Sequence, residues 1–270
     1  MNRSFDRPAP RHPGRSFARS WAMVRLILLE AVRVRLFWIV AAGMLLVLGL
    51  ERFLGQVALV EAGDTEAAVA AALVRFAAAF MVVVFVATSM VRESADKVTE
   101  LLLAQPMSRA AYYRAKLAGY VLVAALAGLL LSLPLALAAP GAGLAYWTLS
   151  LMLELAIVAA ASLFCVLSLN QVMPAVAAAG GFYLLARSMG TLQLLADAAL
   201  AGNPSPGDKV LDGVVRVIAL LLPGLDRMTQ SAWFSAPPGA QQFAALSAQA
   251  AVYLALLAAA SLFDLYRRNA

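Results

Sequence analysis

The sequence predicts an all-α integral membrane protein with six transmembrane helices. The 270 residues are 63% hydrophobic and 13% charged, with a mean hydropathy of +0.83. Soluble domains are about 45–50% apolar and about 25% charged. Several apolar runs exceed the roughly 18 residues that a helix needs to cross a bilayer. These runs are continuous and rich in Leu, Ala and Val, which favours helices over the alternating strands of a barrel.

The N-terminal region precedes the first apolar run and divides into two parts. Residues 1–15 are rich in Pro and Arg and lack apolar periodicity, so we expect a disordered basic tail. Between residues 16 and 35, apolar residues recur every three or four positions: Phe17, Trp21, Val24, Leu28 and Val32. The arginines lie mostly off this stripe. The pattern predicts an amphipathic helix on the membrane surface.

The rest of the chain, 36–270, is expected to form the transmembrane domain. The predicted spans cover residues 36–60, 70–91, 117–139, 146–169, 174–195 and 242–265. A short acidic loop at 61–66 and a tight Asn170-Gln171 link separate two pairs of spans. Gly180 and Gly181 would allow close approach of another helix. Residues 197–239 are irregular and too charged to span, so we expect an external or re-entrant segment there.

The placement of basic residues predicts the topology. Eight arginines precede the first span, five Lys and Arg residues lie between 92 and 116, and two follow the last span. Fifteen of the 21 basic residues therefore lie on one side, which the positive-inside rule makes cytoplasmic. Both termini are then expected in the cytoplasm. Charges beside apolar spans indicate contact with anionic lipid rather than nucleic acid.

Residues 92–119 form a charged insert between the second and third predicted spans. Val98, Leu101 and Leu102 give it a short apolar face that ends at Pro106, and charged residues occupy most of the remainder. Each charge at the bilayer centre would cost about 2.5–3.5 kcal/mol, so this helix should lie on the membrane surface. Ser108 is placed to cap the helix that follows.

The run 96–109, DKVTELLLAQPMSR, with Tyr113 and Lys116 after it, resembles the cytoplasmic loop of type-2 ABC exporter permeases. In that family an acidic residue, a Leu-Leu pair, a Pro and a Ser-Arg recur before the third span. The resemblance implies that loop 92–116 is a coupling helix that docks onto a separate ATPase subunit. The residues implied in this coupling are Val98, Glu100, Leu101, Leu102, Pro106, Ser108 and Arg109. About thirty residues carry the motif, and the rest of the chain agrees only in layout. A surface helix that merely connects two spans is the alternative.

The motifs and residue types that the sequence lacks indicate which cofactors and partners to expect. No GxxxxGK[ST] phosphate loop occurs, so ATP and magnesium are expected on a partner subunit and no cofactor on this chain. Cys165 and His12 are the only residues of their kinds, which argues against a disulfide framework, a metal site or an enzyme that uses histidine. The resemblance implies two ATPase subunits and a second permease copy, as a homodimer or a related heterodimer.

Three ionisable residues fall inside predicted spans: Arg75, Glu154 and Arg187. All three are expected in the outer half of the membrane, where intramembrane charges usually pair with one another. We expect Glu154 to pair with one of the arginines at or near an outward-facing gate. A structural ion pair, or arginines that reach the headgroups, is the alternative. The aromatic residues expected as interface anchors are Tyr146, Trp147, Trp233 and Tyr253.

Taken together with the resemblance, these features predict the membrane-spanning subunit of an ATP-driven exporter in a bacterial inner membrane. The alternatives are a non-transporting scaffold or mechanotransmitting subunit that holds a cytoplasmic partner through loop 92–116, and a secondary transporter. A secondary transporter would require a charged site at the membrane centre, where these spans are nearly free of charge, and no internal repeat is evident. The substrate remains open.

Overall fold

A computed structural model describes residues 13–33, 62–95, 108–138, 141–201 and 205–267, together with eight isolated helical positions between 38 and 53. All regular secondary structure in these ranges is helical. Apart from two short 3₁₀ turns, the helices are α1 (Pro13–Arg33), α2 (Ala62–Ala95), α3 (Arg109–Ser132), α4 (Leu135–Ala138), α5 (Ala142–Leu169), α6 (Val172–Ala201), α7 (Pro206–Leu221) and α8 (Ala240–Arg267).

Five of these helices are long and apolar enough to cross a membrane: α2 from Ala68 onward, α3, α5, α6 and α8. The chain is therefore a multi-pass helical membrane protein. The first predicted span, 36–60, falls largely outside the described ranges, so the count of six spans stays a prediction. Most of the predicted coupling helix, residues 96–107, is likewise not among the described residues.

Local sequence signals set several helix ends. Ser108 caps α3 as expected, and its hydroxyl accepts a hydrogen bond from the Ala111 N–H at 3.3 Å. Helix α3 stops at Ser132, shortly before Pro134, because proline has no N–H with which to continue the helical hydrogen bonds. Asn170 ends α5 in the left-handed conformation with φ 54°, so the expected tight link to α6 is present.

Other boundaries differ from the predictions. Helix α2 already begins at Ala62, where a short external loop was expected, and α6 continues to Ala201 instead of ending near residue 195. The Ala-rich sequence 196–201 contains no helix breaker, so the helix continues until the Gly-Asn-Pro sequence that follows. Helix α1 begins at Pro13, inside the predicted tail, and proline is favoured in the first helical turn.

Helix α5 lies at the centre of the bundle. It contacts α2, α3, α6 and α8, and it is the most buried of the candidate spans. Helix α8 is the least buried and exposes most of its apolar surface. Since apolar side chains on the outside of a membrane bundle face lipid, this exposure is expected for a peripheral span.

Helix α1 packs along α3, and this contact divides the predicted apolar stripe. Val24 is buried in the bundle together with Met23 and Ile27, whereas Trp21 and Val32 of the stripe are exposed. The prediction of a single apolar stripe on α1 was therefore wrong. One apolar face of α1 packs against the bundle, and a second apolar face is exposed. Gly119 of α3 makes the contact close, because a Cβ there would meet the Ile27 side chain.

Among the described residues, the glycine pair in α6 makes no close helix contact of the kind expected from the sequence. A Cβ added at Gly180 or Gly181 would meet nothing within 4 Å in the described part of the chain. Close approach occurs instead at Gly143, where an added Cβ would overlap the Trp233 carbonyl oxygen. A glycine pair signals that a helix can approach, but not that one does.

Helix α7 is the regular part of the predicted external segment. Ser205 and Asp208 form a capping box at its start, with Pro206 at the first helical position. Hydrogen bonds from Ser205 hold the pKa of the Asp208 carboxyl below its usual value. Helix α7 packs against α6, and residues 222–239, which we name the connector, then lead into α8 through two short 3₁₀ turns.

Candidate functional sites at the two ends of the bundle

Polar side chains cluster at both ends of the bundle. We name the end where α2 stops and α3 starts the loop end, because the 96–107 segment joins them there. The starts of α5 and α8 meet at the opposite, connector end, where Tyr146 packs edge-on against Phe243 with ring centroids 5.2 Å apart.

At the loop end, a network of buried polar groups joins α2 to α3. Lys116 is 5% exposed and forms an ion pair with Glu93. Tyr112 donates a hydrogen bond to the other carboxylate oxygen of Glu93 at 3.1 Å. The Lys116 ammonium also lies 5.8 Å from the centroid of the Tyr120 ring. A lysine this far from water requires such a partner, because an unpaired buried charge is very costly.

The same network reaches α1. The Ser89 hydroxyl of α2 donates to the Glu30 carboxylate at 2.8 Å and lies 3.1 Å from the Tyr120 hydroxyl. An ion pair and side-chain hydrogen bonds therefore join α1, α2 and α3 close to where the 96–107 segment leaves α2 and enters α3. Of the sequence-predicted coupling residues, Ser108 and Arg109 are described, and Arg109 lies 6.0 Å from the Tyr266 ring of α8. The other five, Val98, Glu100, Leu101, Leu102 and Pro106, lie outside the described ranges.

At the connector end, the three charged residues singled out from the sequence lie in one cluster. Arg187 Nη1 lies 3.5 Å from Glu154 Oε2, so the pairing expected for Glu154 is present. Arg75 does not form a salt bridge with Glu154, but both side chains bond to Thr229 of the connector. Glu154 is fully buried and Arg187 is nearly so, whereas Arg75 is half-buried. The gate that these residues were expected to form stays a prediction, as does their depth in the membrane.

Thr229 is the centre of this cluster, and the sequence analysis missed it. Its hydroxyl donates to Glu154 Oε2 at 2.7 Å and accepts from Arg187 at 3.1 Å. Its carbonyl oxygen accepts from Arg75 at 3.0 Å and from Trp147 at 3.1 Å, and its N–H donates to Ser150 at 3.1 Å. Every polar group of this fully buried residue is thus bonded to a side chain of a candidate span.

Arg187 also binds the connector backbone. Its Nη1 donates to the carbonyl oxygens of Leu225 at 2.5 Å and Met228 at 2.9 Å. These bonds add a side-chain donor to two carbonyl groups of the turn, of which that of Leu225 also accepts from the Met228 N–H at 3.1 Å. The cluster therefore binds the connector to α2, α5 and α6, in addition to joining spans to one another.

Two of the expected interface anchors belong to this buried site instead. Trp147 is 0% exposed and Trp233 is 3% exposed, so neither side chain is free to contact lipid headgroups as an anchor. A signal for the site was present in the sequence: Trp147, Ser150 and Glu154 recur at spacings of three and four, on one face of an otherwise apolar helix. Nothing comparable marked Thr229.

A scan against protein-family models and a search of curated proteins gave no match to this chain. Among the described residues, no group of three or more His, Cys, Asp or Glu side chains could hold a metal ion. The architecture defines the class, a multi-pass helical membrane protein with a buried polar cluster at each end of its bundle.

Proposed function

We propose that this chain is the membrane-spanning subunit of an ATP-driven exporter. It works in a bacterial inner membrane with a second permease copy, and two cytoplasmic ATPase subunits carry the ATP and magnesium. The resemblance of loop 92–116 to the coupling loop of type-2 ABC exporter permeases suggests the proposal. The observation that supports it most is the Glu93–Lys116 network, because the helices on both sides of that loop are joined by buried polar bonds.

This network explains how a force on the loop would reach the spans. Movement of an ATPase against residues 98–109 would displace the ends of α2 and α3 together, since Lys116 and Tyr112 both hold Glu93. Helix α2 also carries Arg75, eighteen residues before Glu93, or about 27 Å at 1.5 Å per residue. A single rigid helix thus connects the loop-end network to the connector-end cluster, where we place the outer gate.

The test is a pull-down of the gently solubilised protein from its native membrane, followed by an ATPase assay on the proteins recovered with it. We expect a P-loop ATPase in stoichiometric amount, and its loss when Glu100 and Arg109 are both replaced by Ala. Arg216→Ala is the matched control, because this exposed arginine lies on α7, beside Asp197 of α6 and away from the loop end.

Two outcomes would contradict the proposal. Recovery of the chain without any ATPase would exclude an ATP-driven permease under those conditions. Recovery of a partner without ATPase activity, still dependent on Glu100 and Arg109, would instead favour the scaffold alternative.

A further inference from the structure

The connector closes one end of the helix bundle. Leu225, Met228 and Trp233 are all buried, and the second 3₁₀ turn packs against α5 and α2. The contact with α5 is very close, since the backbone of Gly143 lies directly against the Trp233 carbonyl. The regular structure of the connector is limited to two 3₁₀ turns, and its backbone hydrogen bonds join residues no more than four positions apart, so they do not attach it to the spans.

Most side-chain hydrogen bonds between the spans and the connector are made at Thr229, while Arg187 also binds Leu225 and Met228 and Tyr253 binds Leu222. This residue adopts φ 49°, a left-handed conformation that is unfavourable for a β-branched side chain. A strained conformation persists only where surrounding interactions determine it, and here Glu154, Ser150, Trp147 and both arginines supply them. The hydroxyl of Thr229 is the atom that joins the connector to the Glu154 carboxylate.

The groups beneath the connector are incompletely satisfied. Glu154 Oε1 and the Tyr183 hydroxyl form no hydrogen bond of normal geometry among the described residues. The two buried side chains lie close enough to interact with each other, so they are only weakly satisfied. Two arginines also face a single carboxylate, which leaves the cluster with a net positive charge. Burying unpaired polar and charged groups is costly, and access of water to the cluster would relieve that cost.

We propose that the connector is a lid over the Arg75–Glu154–Arg187 cluster and that Thr229 is the positioning residue that holds this lid closed. Desolvation of the cluster opposes closure, and the bonds of Thr229 outweigh it. The lid opens as a local unit that admits water to Glu154 while the spans stay folded. This property belongs to the chain alone, so it does not depend on the proposed exporter function.

Hydrogen–deuterium exchange of the purified protein, followed by mass spectrometry, tests the lid. Thr229→Val keeps the shape and the backbone strain of threonine but removes the hydroxyl, and Thr229→Ser keeps the hydroxyl. We expect Thr229→Val to raise exchange in peptides from residues 222–239 by about tenfold or more, with the spans unchanged and with Thr229→Ser close to wild type. Unchanged exchange in Thr229→Val, or a uniform rise across all helices, would overturn the proposal.

A reversible cross-link provides the second measurement. A Cβ at Gly190 would lie 3.3 Å from the Asp226 Cβ, close to disulfide geometry, and neither residue bonds to Thr229. We expect oxidation of the pair Gly190→Cys and Asp226→Cys, in a Cys165→Ala background, to abolish the exchange increase of Thr229→Val, and reduction to restore it. If the increase persists after oxidation, the connector does not move as a lid.

If Thr229→Val is not recovered as folded protein, Trp147→Phe serves in its place. This change removes one hydrogen bond to Thr229 but keeps an aromatic ring against Phe234. We expect a smaller increase, confined to the same peptides. No increase there would overturn the proposal as well.

Discussion

At the scale of single residues, the buried position of Glu154 means that it contributes to stability as well as being a candidate gate residue. Its Oε2 atom interacts with both Arg187 and the Thr229 hydroxyl, and no part of the side chain is exposed. Removing one partner of a buried ion pair leaves an uncompensated charge, and that typically costs more than the pair contributes. Variants at these positions must therefore be interpreted with stability measured beside transport.

The Glu154–Arg187 ion pair predicts that the effects of changing its two residues on the free energy of unfolding are not additive. Glu154→Gln and Arg187→Gln should each lower the free energy of unfolding, whereas the double variant should be less destabilised than the sum of the two. The expected coupling is about 0.5–3 kcal/mol, because the second change removes a charge that the first left unpaired. Denaturant unfolding of the four proteins in one detergent measures it. Purely additive effects would show that the two side chains do not depend on each other.

At the scale of helices, the close contacts at glycine residues could be predicted from the sequence only in part. Gly143 allows the start of α5 to lie against the connector, whereas the more conspicuous Gly180-Gly181 pair contacts nothing in the described structure. The same distinction applies to α1, where the partner α3 decided which apolar side chains were buried. Periodicity identifies an apolar face, but a neighbouring helix determines how that face is used.

The glycine contacts give a matched pair of variants. Gly143→Ala should lower the free energy of unfolding by about 1–3 kcal/mol, since its Cβ would overlap the Trp233 carbonyl and backbone would have to shift. Gly180→Ala should be neutral, or stabilising by up to about 1 kcal/mol, because its Cβ has room and alanine is the better helix former. Thermal unfolding of both variants beside wild type is the measurement. Equal destabilisation by the two would contradict the contact at Gly143.

At the scale of the whole molecule, the two polar clusters lie at opposite ends of the same bundle. Charge counts along the sequence predict that the loop end lies in the cytoplasm and the connector on the outside. The exporter proposal and the outer gate both need this orientation.

Labelling of single cysteines tests the orientation. In a Cys165→Ala background, Ser235→Cys at the exposed connector surface should react with a membrane-impermeant maleimide in spheroplasts, whose outer membrane has been removed. Gln171→Cys, exposed at the loop end, should react only after the inner membrane is made permeable. The reverse pattern would invert the topology and remove the cytoplasmic position of the coupling loop.

The sequence by itself determined the class of the protein and many of its local features. Apolar runs longer than a bilayer crossing predicted the helices that the structure describes, and the helix cap at Ser108 and the turn at Asn170 depend on chemistry within a few residues. It also selected the three charged residues of the connector-end cluster, because charges inside apolar spans need partners.

Only the tertiary structure revealed Thr229 as the common partner of those charges, and the burial of Trp147 and Trp233. Thr229 lies 75 residues beyond Glu154, in a segment without periodicity, so no local pattern links the two. The sequence pattern of a helix indicates which of its faces is apolar and which is polar. The packing of helices decides which distant groups meet, since a buried polar atom must find its partner wherever the fold places one.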